Sequence, residues 1–292
     1  KTGIVEKCRL LTNRNPLLIY LGGITILSFL ISWALITEAL NENLSRPMLI
    51  AVSAMILLAT TRLSVSMVNW LSTILTKPSL LPRMDYSKGI PYESRGMVVI
   101  PTMITSMASI DHLVEGLEVR FLANRDANLY FALLTDFKDA KTKHLPEDAT
   151  LIQTLKNKIF DLNKKYQRPS NDTFFLFHRP RKWNPYDNIW MGYERKRGKL
   201  AELNAFLRGG AKDCFSDVIG NNTIFNSIKY IITLDTDTQL PRDTAWKMIG
   251  CMAHPLNHPL YNPKKKRVTE GYSILQPRVS NSLPADNSSI YA

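Results

Sequence analysis

Two long apolar stretches precede residue 77. From Pro16 to Thr37 no residue is charged, and the core reads LLIYLGGITILSFLISWALIT. A helix needs about 20 such residues to cross the hydrocarbon core of a bilayer. A cleaved signal peptide has a shorter apolar region and a small-residue cleavage site, so the run predicts a retained span. The second run, Pro47 to Thr76, is interrupted only by Arg62. One central arginine costs about 2.5–3.5 kcal/mol of insertion free energy, which the surrounding Leu, Ile and Met residues offset. Arg62 then snorkels, faces another helix or meets a lipid phosphate. The pattern predicts a membrane unit over 1–77 with helices at 16–38 and 47–76, and a linker over 78–95, where Pro, Ser and Gly concentrate.

Beyond residue 95 the pattern shortens and alternates. MVVIP (Met97–Pro101) is an apolar run of strand length, and Asp111 to Asn124 follows as an amphipathic helix with Leu113, Leu117 and Leu122. NLYFALLT (Asn128–Thr135) is the next strand. Glu147 to Tyr166 is a helix, with Leu151, Leu155, Ile159 and Leu162 on one side and lysines elsewhere. Strands are expected at Phe174–His178, Tyr230–Leu234 and Tyr272–Gln276, and helices at Lys199–Leu207 and Pro241–Met252. Strands alternating with helices imply an α/β domain over 96–292 with parallel pairing. Ligands of such sheets bind beyond the carboxyl ends of the strands. Pro101, Asp136, His178 and Asp235 all fall at those ends.

Charge adds an orientation. Lys1, Lys7, Arg9 and Arg14 precede the first span and Lys77, Arg83 and Lys88 follow the second, whereas the loop between carries Glu38, Glu42 and only Arg46. The positive-inside rule puts both outer ends and the α/β domain in the cytoplasm. The formal net charge of +12 suits an anionic membrane surface or a phosphate-bearing substrate. Nucleic acid would also attract it, but the chain has no recognisable nucleic-acid-binding motif. Cys8, Cys214 and Cys251 have neither metal-ligand spacing nor a disulfide pattern, which fits a reducing compartment.

The strongest chemical signal is IITLDTDTQLP (Ile231–Pro241), where Asp235 and Asp237 follow an apolar strand. Mg²⁺ takes oxygen ligands and is commonly shared between one or two carboxylates and substrate phosphates. An Asp-x-Asp pair also occurs in ordinary turns. Aspartyl phosphatases of the haloacid-dehalogenase type use Asp-x-Asp before Gly-Thr; there Asp235 would be a nucleophile and Asp237 an acid/base. Thr238 comes one position too early for that pattern. A P-loop ATPase is excluded, because no G-x-x-x-x-G-K-[ST] is present. A second signal is ERKRGKLAELN (Glu194–Asn204), where four cations precede a short helix and suit a diphosphate, a lipid headgroup or plain solvent. The aromatic stretch HRPRKWNPYDNIWMGYE (His178–Glu194) suits sugar faces or simple packing of Trp183 and Trp190. Prolines after both His254 and His258 argue against a helical metal pair.

The stretches VVIPTMITS, LLTDFKDA, FHRPRKWN, WMGYERKRGKLAELN, YIITLDTDTQLPRDTAWKMIGCMAHPLN and EGYSILQPRVS, together spanning Val98 to Leu283, resemble the glycosyltransferase part of cyclic β-1,2-glucan synthases (glycosyltransferase family 84). They are more distantly similar to processive family 2 glycosyltransferases. The resemblance implies a GT-A-like, Rossmann-like fold in the bacterial inner membrane, with UDP-glucose as donor and inversion during growth of a glucan acceptor. Carried over residue by residue, Pro101 and Thr102 lie near the base and Asp136 contacts the uridine. Lys199, in GKLAELN, lies near the donor, and Asp235 and Asp237 hold Mg²⁺ or Mn²⁺, Asp237 being the better ligand.

The family's later Thr-Glu-Asp and Gln-x-x-Arg-Trp blocks are not in the chain, where Thr269-Glu270-Gly271 lacks the aspartate. The resemblance therefore implies a donor-binding portion whose general base lies downstream, together with carboxyl-terminal domains of the same polypeptide. Such a portion, truncated before the end of its catalytic domain, is expected to be inactive alone, with no catalytic residue of its own. A membrane-tethered scaffold that binds nucleotide sugar without turnover is the remaining alternative; the presence of Asp136, Lys199, Asp235 and Asp237 argues against it.

Overall fold

A computed structural model describes residues 15–42, 44–75, 80–168, 172–210 and 212–279. The basic flank at Lys1, Lys7, Arg9 and Arg14, together with Cys8 and Lys77, lies outside them. The chain divides into two compact units, Lys1–Leu80 and Leu81–Ala292.

The first unit is a helical hairpin of α1 (Pro16–Asn41) and α2 (Arg46–Leu75). Pro16 opens α1, where its missing N–H costs nothing. Both helices are long and apolar enough to cross a membrane. Their buried positions are small and polar: Ser28 and Ser32 on α1, Thr60 and Ser64 on α2. Ser32 and Thr60 share a hydroxyl hydrogen bond of 2.6 Å, and Tyr20 donates to Asn69 at 2.8 Å. Leu18, Phe29, Trp33 and Leu58 point outward, as does Arg62. Small hydroxyls inside and large apolar groups outside invert the arrangement of a water-soluble helix pair, and hydrocarbon surroundings favour it.

The second unit is mixed α/β with a mostly parallel sheet. Its elements are β1 (Gly96–Ile104), α3 (Met107–Ala123), β2 (Leu129–Phe137), α4 (Asp148–Lys165), β3 (Phe174–Arg179), β4 (Lys182–Asn184), β5 (Ile189–Met191), α5 (Arg195–Leu207), β6 (Asp217–Ile219), β7 (Tyr230–Thr233), α6 (Thr244–Ala253), β8 (Leu260–Asn262) and β9 (Arg267–Glu270). The sheet order is β6-β3-β2-β1-β7, with β6 antiparallel to β3 and the others parallel. All residues of β2 are buried, as expected for a central strand covered on both faces. On one face Val98, Ile100, Phe131 and Leu133 meet Leu117 and Phe121 of α3, Leu155 and Ile159 of α4, and Ile249 of α6. On the other, Val99, Tyr130, Leu134, Phe175 and Phe177 meet Leu203 and Leu207 of α5 with Phe215 and Phe225.

Three departures from the expected pattern have local causes. Helix α3 begins at Met107 rather than Asp111, because Ser106 and Ser109 form a reciprocal capping box ahead of it. Residues 272–276 form no strand; the hairpin β8–β9 precedes them and Tyr272 N–H instead donates to the Asn257 carbonyl at 2.9 Å. Residues 81–95, expected as linker, belong to the second unit. Ile90 is buried there, Tyr86 packs on the core, and Met84 N–H donates to the Gly250 carbonyl at 3.0 Å.

Candidate functional site

The register of β1 on β2 sets Thr102 beside Thr135 and Met103 beside Asp136, so the two strands end together. β7 stops pairing at Val99, which leaves β1 a neighbour on one side only beyond that point. There a strand proline, Pro101, is tolerated. Pro101 is buried and Thr102 half-buried.

Asp136 is 1% exposed, and its carboxylate is held at both oxygens. Lys199 Nζ donates to Oδ1 at 2.8 Å, and Arg179 Nη2 donates to Oδ2 at 3.0 Å. Lys199 Nζ also donates to the Thr102 carbonyl, tying the ends of β1 and β2 through one ammonium. Arg179 Nη1 donates to Glu202 at 2.8 Å, and Lys182 reaches Glu202 from outside at 2.7 Å. The buried centre thus pairs two carboxylates with two cations, the condition under which burial of charge is tolerated. Burial pulls the Lys199 pKa below the ordinary lysine range, with Asp136 acting against it.

The turn into α5 lies directly on this cluster. A Cβ at Gly192 would fall 2.0 Å from Asp136 Oδ2, and one at Gly198 would fall 2.4 Å from the Tyr193 carbonyl. Glycine is required at both positions for that approach. Glu194 and Arg195 follow in left-handed backbone (φ 54° and 51°), a sparsely populated conformation for residues with side chains. The tight turn brings the Tyr193 carbonyl to Arg179 at 3.2 Å.

The Asp-x-Asp segment is a turn beyond β7 in which Thr238 N–H donates to the Asp235 carbonyl at 3.1 Å. Asp235 and Asp237 are exposed, and Asp235 is paired with Lys196 of α5. Lys196 and Lys199, one helical turn apart, therefore reach Asp235 and Asp136 respectively. Among the described residues no group of three or more acidic, histidine or cysteine side chains stands ready to hold a metal alone. Two exposed carboxylates fit a cation that takes its remaining ligands from phosphate and water. A cleft of about 280 Å³ lies against this turn, lined by Thr102, Ser109, His112, Arg120 and Thr236 among others.

The aromatic stretch forms the hairpin β4–β5, with Trp183 opposite Trp190 and ring centroids 5.7 Å apart. Trp190 also bridges to Ala140, so the hairpin is anchored to the loop after β2. His254 caps the short helix that follows α6, its ring accepting from Leu256 N–H at 3.3 Å. His178 is buried beside Thr135, Nδ1 lying 2.8 Å from the hydroxyl. Arg179, Glu202, Gly192 and Arg120 are site residues that sequence reasoning passed over. Two had a signal: Glu202 lies three residues beyond Lys199 on one helix face, and Arg120 lies three beyond Leu117 on a buried one.

An α/β sheet whose strand ends gather Thr102, Asp136 and Lys199, with an acidic turn beyond the last parallel strand, belongs to a chain related to the cyclic β-1,2-glucan synthases. Over 215 residues it is 42% identical to the cyclic beta-(1,2)-glucan synthase NdvB of Rhizobium meliloti. The match takes in 74% of this chain and 8% of that protein, so the chain corresponds to a short segment of a much longer polypeptide. No family model matches the chain.

Proposed function

We propose that the second unit is the donor-binding part of a GT-A-like glucosyltransferase, taking UDP-glucose and transferring glucose with inversion to a β-1,2-glucan acceptor. The observation that carries the reading is the reach of α5, whose first turns bring Lys196 to Asp235 and Lys199 to Asp136 and Thr102. Two cations of one helix face thereby stand between the two strand ends where a nucleoside diphosphate would lie. The relationship to a glucan synthase supports the choice of sugar transfer over phosphoester hydrolysis.

In this reading the acceptor 2-hydroxyl attacks the anomeric carbon in line as the bond to UDP breaks. Asp237, with Asp235, would hold Mg²⁺ or Mn²⁺, whose charge offsets that of the departing diphosphate. Lys199 and the arginines beside it add to that field. Pro101 and Thr102 border the base, and Asp136 is assigned to it. We assign no general base within the chain, and on this reading the 292 residues alone make no glucan. The hairpin would cross the bacterial inner membrane twice among its lipids, with the second unit on the cytoplasmic side.

Calorimetric titration of UDP-glucose into the detergent-solubilised chain, with Mn²⁺ and with chelator, tests the donor site. Metal-dependent binding that disappears in Asp237→Ala is the expected result. Binding that is indifferent to both chelator and substitution would sink the assignment.

A further inference from the structure

Arg120 is a buried cation that the proposed chemistry leaves unused. It lies on the sheet-facing side of α3, one turn beyond Leu117, and is 7% exposed. Among the described residues no carboxylate forms an ion pair with it. Its guanidinium is instead occupied by backbone: Nη2 donates to the Thr236 and Thr238 carbonyls, both at 2.7 Å, and more weakly to the Asp235 carbonyl at 3.4 Å. Nε adds a second bond to Thr238 at 3.1 Å. Next along the helix, Asn124 donates to the Leu240 carbonyl at 3.1 Å and accepts from Ala245 N–H at 3.0 Å. The whole segment from the end of β7 to the start of α6 is thus pinned to α3.

The consequence lies in where the turn's groups face. Carbonyls drawn inward to one guanidinium leave the Asp235 and Asp237 side chains on the outside, where both are exposed. Burial pulls the Arg120 pKa down, with the Asp237 charge acting against it. A planar guanidinium holds its fork of donors in fixed directions, whereas a lysine offers a point charge on a flexible stem. Room for the fork is provided by Gly116, one turn back, where a Cβ would fall 2.8 Å from Arg120 Nη1.

We infer that Arg120 is a positioning residue that fixes the Asp-x-Asp turn so that Asp235 and Asp237 face one divalent cation together. The inference rests on the reading of that turn as the cation-bearing one. Removing such an outer support typically weakens metal affinity about 10- to 100-fold.

The test is retention of Mn²⁺ with UDP by the full chain in detergent, followed by the paramagnetic resonance of free Mn²⁺, alongside hydrogen exchange over residues 234–240. Arg120→Gln should weaken Mn²⁺ binding by about tenfold or more and speed exchange in the turn, with Arg120→Lys intermediate. Gly116→Ala separates positioning from folding. Alanine in place of a helical glycine favours the helix, yet here its Cβ pushes the guanidinium aside. An unchanged or raised melting temperature with weakened Mn²⁺ binding is the expected pair of results. Normal Mn²⁺ binding in Arg120→Gln and Gly116→Ala, with binding lost in Asp237→Ala, would overturn the role of Arg120 and leave the cation site standing. No Mn²⁺ binding by the wild-type chain, or binding that survives Asp237→Ala, would overturn both.

Discussion

Gly192 lies so close over Asp136 that a Cβ on it would fall 2.0 Å from the carboxylate oxygen that Arg179 holds. The missing side chain is what lets the turn close over a charge and exclude water from it. Gly192→Ala must therefore push the turn or the carboxylate aside. Overpacking of this kind costs about 1–3 kcal/mol. Urea denaturation should show that loss, and a midpoint equal to wild type would mean that the turn is held elsewhere.

Asp136 and Lys199 form a buried pair whose members are not independently dispensable. Lys199→Met leaves the buried Asp136 carboxylate with Arg179 alone, a cation it shares with Glu202, and should cost about 3–5 kcal/mol. Asp136→Asn added to it removes the uncompensated charge and should recover part of that loss. A double-mutant cycle measures the coupling. Simple additivity would contradict the pairing.

Acid should weaken the fold before the carboxylates titrate. Burial lowers the His178 pKa from 6.5 to about 4, against the opposing pull of Asp217, Asp136 and Asp148. The unfolded chain therefore takes up the proton first as pH falls. Stability fully present above pH 6.5 drains away down to about pH 4, about 3 kcal/mol in all and about 2 of it by pH 5. His178→Phe should flatten the dependence of the urea midpoint between pH 7 and pH 5. Parallel slopes in variant and wild type would assign the acid sensitivity to other groups.

Lys196 occupies Asp235 from the solvent side, with both side chains about half exposed. Pairs this open contribute about 0–1 kcal/mol to stability, so Lys196→Ala should leave the melting temperature nearly unchanged. The same substitution frees a carboxylate for a cation. Mn²⁺ without nucleotide should then bind several-fold more tightly, while the affinity for UDP falls with the lost charge. A uniform loss of both would show Lys196 holding the turn rather than competing for it.

Much of this architecture is written in short patterns. The charge-free run from Pro16 and the continuous apolar strand of β2 are unambiguous because one physical demand, burial against hydrocarbon or on both faces, fixes every position. Asp136, Lys199 and Asp235 stand out in the sequence because they lie at strand ends and a helix start, where ligands of such sheets bind. The lock among them was not legible. Arg179 follows an apolar strand and reads as a chain-end polar residue until β3 is placed beside β2. The antiparallel β6 has only three residues, too few for periodicity, and its pairing depends on what β3 leaves exposed. Residues 81–95 look like linker because Pro, Ser and Gly recur there, yet Asn257, far along the chain, donates to the Pro82 carbonyl at 2.8 Å and helps hold them to the domain.

The strand order also sets a timetable. β1 is the first strand of the sheet to leave the ribosome and β7 the last, yet Gly96 must lie against Tyr230. Such a non-local pairing carries the full entropy of closing the intervening chain and forms late. Until β7 docks, the Val99 carbonyl waits for Leu234 N–H and the Arg120 fork has no carbonyls to grip. A nascent chain stalled between residues 207 and 230 therefore holds Asp136 and Lys199 but no acidic turn. The domain acquires its two outward carboxylates only when the last strand of its sheet has docked.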